Sequence, residues 1–300
     1  MEKPYQINFK DVKSHESILG YCSHMISHYK NYPKTPIILN FLECNFIYPD
    51  YALLFMCAFK HLENCGIEIH GNIKFSKDNT DVIDYLARMN FFKYLKVKIP
   101  RRLEQLKSNR FVEIQKYNEV NQLDVLNSII NIIKENTCIN DNVITSLDYC
   151  LNEILDNVLN HSENKEGWVV AQYFYKINSI RLIVADSGIG IQKSLNTKHN
   201  FTEDEAIKKC IEQGVTNGKG QGHGLYATST FTKLNKGWLS LISGIKKLDI
   251  SEGDSKIKDI PFWQGTCVYL RVNTNVDVDY KKFTSEHFDY KESVFKEMFK

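Results

Sequence analysis

The segment LNEILDNVLNHS, Leu151 to Ser162, places many polar side chains on what its apolar spacing predicts to be a helix. Glu153 and Asn157 stand four residues apart, so on a helix they project in the same direction. A carboxylate and a carboxamide stacked in this way suit two tasks. The amide oxygen can serve a hard metal ion, and the carboxylate can orient or deprotonate a water. Asp156, Asn160 and His161 enlarge the polar set. Asparagine is a mediocre helix former because its amide competes for backbone groups, so repeating it at Asn157, Asn160 and Asn164 costs helix stability. Taken alone, a solvated helix face is the commoner source of such a pattern.

Two later stretches carry chemistry of a different kind. In ADSGIGI, Ala185 to Ile191, an apolar run ends at Asp186 and is followed by Gly188 and Gly190. An aspartate at a strand end can accept a hydrogen bond from a ligand amine while the glycine backbone packs against a ligand ring. A tight turn capped by the aspartate has the same sequence. In NGKGQGHGLYATSTF, Asn217 to Phe231, Gly218, Gly220, Gly222 and Gly224 occupy every second position, leading into a helical stretch that begins near Gly224. A glycine-rich loop feeding a helix start exposes unpaired N–H groups that bind phosphate, and Lys219 and His223 add positive charge. The P-loop pattern GxxxxGK[ST] is absent, and no strand immediately precedes the loop as a dinucleotide fingerprint requires.

The elements that must position these residues follow from periodicity. Ile144, Leu147, Leu151, Ile154, Leu155 and Val158 form the apolar stripe of the first helix. Ahead of it, RFVEIQKY reads as a strand and NQLDVLNSIINIIKEN as a helix. After it, GWVVAQYFY and SIRLIVAD read as strands joined at Asn178-Ser179, and GWLSLISG and GTCVYLRV as two more. TEDEAIKKCIEQG offers a capping box, Thr202 with Glu205, and a stop at Gly214. Helices beside consecutive strands, antiparallel in expectation, predict an α+β sandwich with the helices on one sheet face. In the first hundred residues, PIILNFLECNFI (Pro36 to Ile47) reads as a buried strand and YALLFMCAFKHLENCG as a helix ending at Gly66. IEIHGNI reads as a strand, and DNTDVIDYLARMNFFKYL as a helix capped by Asp78, Asn79 or Thr80. This strand–helix alternation predicts a small α/β unit with at least partly parallel pairing. The basic run from Lys93 to Arg110 marks the boundary and reads as solvated surface; a nucleic-acid or acidic-partner patch is the weaker reading.

In their order and spacing the three chemical segments resemble the GHKL ATPase family, shared by DNA gyrase B subunits, the Hsp90 chaperone, histidine kinases and mismatch-repair ATPases, over residues 110–275. NEILDNVLNH looks like its N box, DSGIGI like its G1 box, GHGL with the leading GKGQ like its G2 box, and Gly265-Thr266 like its adenine-side Gly-Thr pair. The resemblance implies ATP and Mg²⁺ as cofactors. It casts Asn157 as the Mg²⁺ ligand and Glu153 as the catalytic carboxylate that activates water. Asp186 becomes the acceptor of the adenine amine, with Gly188 and Gly190 letting the chain approach the base. Gly220, Gly222, Gly224 and Leu225 would form the phosphate loop, with Thr266 on the adenine side. His161, Lys219 and His223 are implied phosphate contacts. Residues between Ile191 and Gly222 would be the ATP lid. The fold class implied is α+β: a Bergerat-type α/β sandwich, with helices on one face of a mixed, mostly antiparallel sheet, at residues 106–275. Residues 1–105 resemble, more loosely, a STAS domain, and 276–300 form a tail. Where STAS domains present a phosphorylatable serine, this chain has Tyr48-Pro49-Asp50, which would place a permanent negative charge there.

Composition narrows the rest. Lys plus Arg total 38 against 36 acidic residues, a net charge of +2, which argues against a protein built mainly to grip nucleic acid. The longest apolar run, Tyr51 to Phe59, is far short of the roughly 20 residues a membrane span needs, and the N-terminus lacks a secretion signal. The eight cysteines form no CxxC pair and read as buried reduced thiols of a cytoplasmic protein. The leading expectation is a Mg²⁺-ATP-binding regulatory switch, a slow ATPase whose lid closure controls a protein partner of unknown identity, with ATP-dependent homodimerisation in the family's manner. The alternatives are a serine/threonine kinase of the anti-sigma-factor type and a non-hydrolysing ATP-binding interaction protein. His15, His24 and His28 lie in the wrong half to serve a complete histidine kinase, and the chain leaves no room for a topoisomerase transducer domain.

Overall fold

The computed structural model describes residues 3–76, 80–97, 110–163, 165–218, 222–279 and 281–283. The N-terminal unit runs β1 (Tyr5–Asn8), α1 (His15–Asn31), β2 (Ile37–Asn40), α2 (Pro49–Asn64), β3 (Gly71–Lys74), α3 (Asp81–Arg88) and α4 (Phe91–Tyr94). Its strands pair in parallel in the order β1-β2-β3, as a strand–helix–strand alternation requires. Ser14 and Ser17 close a reciprocal capping box at the start of α1. Pro49 starts α2, where its missing N–H is not needed.

Several expectations need correction here. The strand expected over 36–47 is only four residues long, because the chain turns at Leu42 and continues without regular structure to α2. The helix expected to run through Leu95 breaks at Asn90, whose left-handed φ of 61° separates α3 from α4. Thr80 precedes α3 as its cap residue but makes no capping hydrogen bond; Asp78 and Asn79 lie outside the described residues. The sequence pattern gives no sign of β1 or α1. The basic run falls largely on 98–109, also outside the described residues.

The C-terminal unit runs β4 (Phe111–Tyr117), α5 (Gln122–Asn136), α6 (Asp141–His161), β5 (Gly167–Phe174), β6 (Ser179–Ala185), α7 (Gly190–Leu195), α8 (Glu203–Lys209), α9 (Gly224–Leu234), β7 (Trp238–Ser251) and β8 (Asp254–Asn273). Its sheet has the order β4-β5-β6-β8-β7. Every neighbouring pair is antiparallel, so the sheet is not mixed. The two successive helices α5 and α6 return the chain to the end of the sheet it left, which makes β5 run opposite to β4 even across a long connection. The expected strands near Trp238 and Thr266 both extend into one long hairpin. The helix expected to stop at Gly214 ends at Lys209, and a turn carries the chain on to Gly214 at φ +80°.

Strand alternation sends side chains to two separate cores. Ile180, Leu182, Val184, Val268, Leu270 and Val272 pack under α5, α6 and α9. Ile183, Ala185, Ile242, Trp263, Cys267 and Tyr269 face the other way, into the core that contains α1 and α2. The other sheet face is therefore roofed by the N-terminal unit, and strands buried on both faces read as continuous apolar runs. Polar pairs stitch this seam. His15 bonds Asp50 at 2.8 Å and stands edge-on to the Tyr269 ring at 4.8 Å. Glu16 receives Lys247 at 3.0 Å, and Arg181 lies over the Tyr48 ring at 3.9 Å. Asp50, expected as a charge on the turn, is 2% exposed and committed to this seam. All eight cysteines are unpaired, and six are buried. Among the described residues no helix is long and apolar enough to cross a membrane.

A shared core predicts shared stability. All three tryptophans, Trp168, Trp238 and Trp263, belong to the C-terminal unit. Phe55 lies fully buried in α2, edge-on to Phe9 at 5.5 Å. Phe55→Ala should cost about 3–5 kcal/mol, and urea unfolding followed by tryptophan fluorescence should shift with it. An unchanged fluorescence midpoint beside a lowered far-UV transition would show the two units to be independent.

Candidate nucleotide site

The polar residues of α6 separate into two sets once the helix is placed. Its apolar stripe is buried as expected, and Asn140 caps its start by accepting from the Asn142 N–H at 2.9 Å. One polar set is structural. Gln122 on α5 donates to Asp156 Oδ1 at 2.7 Å, and Asn152 donates to Asp156 Oδ2 at 3.1 Å, which ties α5 to α6. The other set, Glu153, Asn157, Asn160 and His161, lines a cavity of about 330 Å³, whose wall Asp156 also reaches. That volume lies in the range of small-molecule sites, roughly 300–1,000 Å³.

Across the cavity from α6 stands Asp186, at the end of β6. It is 1% exposed, yet it reaches the cavity. Its Oδ1 accepts the Gly188 N–H at 2.6 Å and its Oδ2 accepts the Thr266 N–H at 3.2 Å, while its own N–H donates to the Thr266 carbonyl at 2.9 Å. Burial raises its carboxyl to about 7 against the pull of these two N–H donors. Gly265 is what allows the approach of β8: a Cβ there would stand 2.3 Å from the Asp186 carbonyl oxygen and 2.6 Å from Oδ1. The turn after Asp186 docks on the end of α6, because Ile189 donates to the Ser162 carbonyl at 3.2 Å. Gly190 opens α7, and the next N–H, of Ile191, donates to Ser243 Oγ at 2.9 Å. Ile154, Val158, Ile191, Leu195 and Val268 give this end of the cavity an apolar lining.

The opposite end is polar. Asn217 Nδ2 lies 2.9 Å from His161 Nδ1 and donates to Ser194 Oγ at 2.9 Å. This one amide connects the end of α6, helix α7 and the start of the glycine loop. His199, stacked on Phe201 at 4.6 Å, reaches the Thr216 carbonyl at 3.1 Å and supports the same stretch from behind. Gly222, His223, Gly224, Leu225 and Thr266 complete the wall, and Gly224 begins α9. Lys219 and Gly220 fall outside the described residues.

The structure thus brings together Glu153, Asn157, Asp186, Gly190, Gly222, His223, Gly224, Leu225 and Thr266 around one space, with Gly188 acting through its N–H on Asp186. It adds Ser194, Asn217 and Tyr149, which the sequence did not single out. Asn217 was visible as the first residue of the glycine loop. Ser194 and Tyr149 carried no local signal, since each is one polar residue in an amphipathic helix. Among the described residues there is no cluster of three or more His, Cys, Asp or Glu that could hold a metal alone. A single carboxamide such as Asn157 fits Mg²⁺, which keeps several waters and takes phosphate oxygens instead of a protein cage. An acceptor at a strand end, an apolar slot and a polar, glycine-lined far end fit a purine nucleotide lying between Asp186 and Asn157.

The raised Asp186 value carries a stability consequence. An unfolded aspartate ionises near pH 3.9, so between about pH 4 and pH 7 the folded chain holds a proton that the unfolded chain has lost. Stability contributed by this group therefore falls as pH rises through that window and levels off above it. Urea unfolding of the nucleotide-free chain from pH 5 to pH 8 should show this decline, and Asp186→Asn should lessen it. An identical pH dependence in the variant would remove the buried carboxylate as its cause.

Comparison with known proteins agrees with this geometry. The family model described as histidine kinase-, DNA gyrase B-, and HSP90-like ATPase matches residues 142–275, from the first turn of α6 to just past β8. Among curated proteins, none matches the chain. Members of this GHKL family bind ATP, usually with Mg²⁺. Residues 142–275 are thus a histidine kinase-, DNA gyrase B- and HSP90-like ATPase segment, a GHKL-type ATP-binding domain.

Proposed function

We propose that the chain is a Mg²⁺-ATP-dependent regulatory switch with slow hydrolysis, in which nucleotide sets the segment between Ile191 and Gly222 and that segment controls a protein partner. The observation that carries this reading is the Asp186 carboxylate, buried, oriented by two N–H donors and still open to the cavity. A buried carboxylate is costly unless something uses its remaining lone pairs, and an adenine amine is a donor of the right kind. Asn157, one helical turn beyond Glu153, would hold Mg²⁺, which when bound neutralises phosphate charge. Glu153 would be the carboxylate that serves a water, since it lines the cavity one helical turn before Asn157.

The switch follows from how the lid is attached. Its polar hold on α6 includes Asn217, which bridges His161 and Ser194. Phosphate oxygens arriving at this end would compete for the same groups, so occupancy and lid position are linked. Because α2 lies behind the strand that carries Asp186, the N-terminal unit is placed to feel the same change. The partner would then read lid or seam.

Calorimetry should show ATP binding that Mg²⁺ strengthens. Asn157→Ala should weaken Mg²⁺-ATP binding about tenfold or more, the usual loss for a contact to a charged group. In a phosphate-release assay Glu153→Gln should slow turnover by roughly 10²–10⁴. No nucleotide uptake by the folded chain would end this reading. Label transferred from ATP to a co-purified protein in place of water would turn it towards phosphotransfer.

A further inference from the structure

The sheet face that meets the N-terminal unit carries two arginines in a costly arrangement. Arg181 on β6 and Arg271 on β8 stand directly opposite each other in the antiparallel ladder. They share their face with Ile183 and Tyr269, two residues away on the same strands. Both arginines are half-buried, and the Nε of each is closed off from water without a hydrogen-bond partner. Like charges directly opposite each other destabilise a strand pair, and a buried donor left unpaired adds to that cost.

The buried carboxylates of the seam are committed elsewhere. Asp50 bonds His15 at 2.8 Å, while Asp249 accepts the Ser240 hydroxyl and pairs with Lys247 at 3.3 Å. Among the described residues no carboxylate lies within ion-pair distance of either guanidinium. Aromatic rings hold the two groups instead. Arg181 lies over Tyr48 at 3.9 Å and near Phe174 at 5.3 Å, and Arg271 lies over Trp238 at 6.0 Å. The Trp238 ring is itself fixed, since its indole N–H donates to Ser240 Oγ at 2.8 Å. A ring stacked on a guanidinium covers its flat face and leaves the N–H groups at its edge free. Tyr48 meets Phe46 edge to face at 4.9 Å, and Phe46 is 50% exposed, so apolar surface lies beside the pair.

We propose that Arg181 and Arg271 form a phosphate-binding site at the rim of the seam, on the opposite sheet face from the nucleotide cavity. Two guanidinium forks suit the several oxygens of one phosphate. Its negative charge would offset the repulsion that the pair otherwise carries. The phosphate is either free or borne on a side chain of a partner, and in the second case Phe46 offers the partner a contact as well. The site does not depend on what the nucleotide cavity binds.

The experiment is urea unfolding of the full chain in sodium chloride and in sodium phosphate at equal ionic strength and pH. A ligand at about ten times its dissociation constant lowers the unfolding constant about tenfold, and inorganic phosphate titrated into the wild type should reach that effect. Arg271→Gln should abolish it. Arg271→Lys, which keeps the charge and loses the fork, should lose most of it. Each variant is compared with its own chloride baseline, so a change in intrinsic stability does not enter. The nucleotide cavity is the same in all three chains, so phosphate held there contributes equally and cancels. A phosphoserine peptide of otherwise uncharged residues, titrated in the same way, separates the sources: binding tenfold tighter than inorganic phosphate assigns the group to a partner chain, and equal or weaker binding assigns it to free phosphate. No phosphate effect in the wild type, or an effect undiminished in both variants, would overturn the site.

Discussion

An aspartate placed at the end of a central strand and closed off from water constrains everything around it. Asp186 needs donors, and the two it has come from backbone on either side: Gly188 in its own turn and Thr266 on the neighbouring strand. Those donors exist only if β8 comes as close as Gly265 permits, and if the turn after Asp186 folds back onto the end of α6. One buried group therefore fixes the register of β6 against β8, the path into α7 and the seat of the helix that carries Glu153 and Asn157. Burial also keeps the carboxylate under-solvated, which raises its proton affinity and its demand for a partner. The same constraint that organises the fold leaves a hydrogen-bonding group waiting at the floor of the cavity.

The reverse side of that floor is not solvent. Cys267, paired across the ladder with Ala185, points into the seam with α2. Burial, before any other cause, holds the Cys57 thiol of α2 well above its usual range. Since packed interiors are close to incompressible, a shift of β6 or β8 has to be taken up by α1 and α2 or by the His15–Asp50 pair beside Tyr269. The N-terminal unit is a further wall of this sheet, joined to it by the polar seam contacts.

The sequence made the ATPase half more legible than the N-terminal half, and the reasons are physical. On α6 the apolar stripe and the polar stripe are separated cleanly, because one face meets a core and the other meets a cavity. Gly190, Gly222 and Gly224 were visible because a left-handed turn or a close approach to a neighbouring side chain admits few residue types. In the N-terminal unit, β1 is four residues with no alternation to notice, and α1 mixes His15, His24 and His28 into its apolar pattern. Its helices bury faces against a sheet far along the chain, a contact that no local window contains. The break at Asn90 was hidden for a similar reason. The hydrophobic period continues through it, and only tertiary packing of Phe91 and Phe92 requires the change of direction.

The polar crowding on α6 resolves on the same terms. A helix advances 100° per residue, so Asn152 and Asp156 fall on a different line from Glu153 and Asn157. The Asn152–Asp156 line meets Gln122 and holds α5 in place. The Glu153–Asn157 line faces the cavity. At its two ends stand Tyr149 and His161, each tied to something outside the helix: Tyr149 to Phe283 in the C-terminal segment, His161 to Asn217 at the root of the glycine loop. A helix wedged in this way resists rotation about its own axis, since turning it would break the α5 tie and both end contacts together. That resistance is what keeps a carboxylate and a carboxamide in fixed register with Asp186 across the cavity. It also explains why so many polar residues are tolerated in a helix that would be more stable without them.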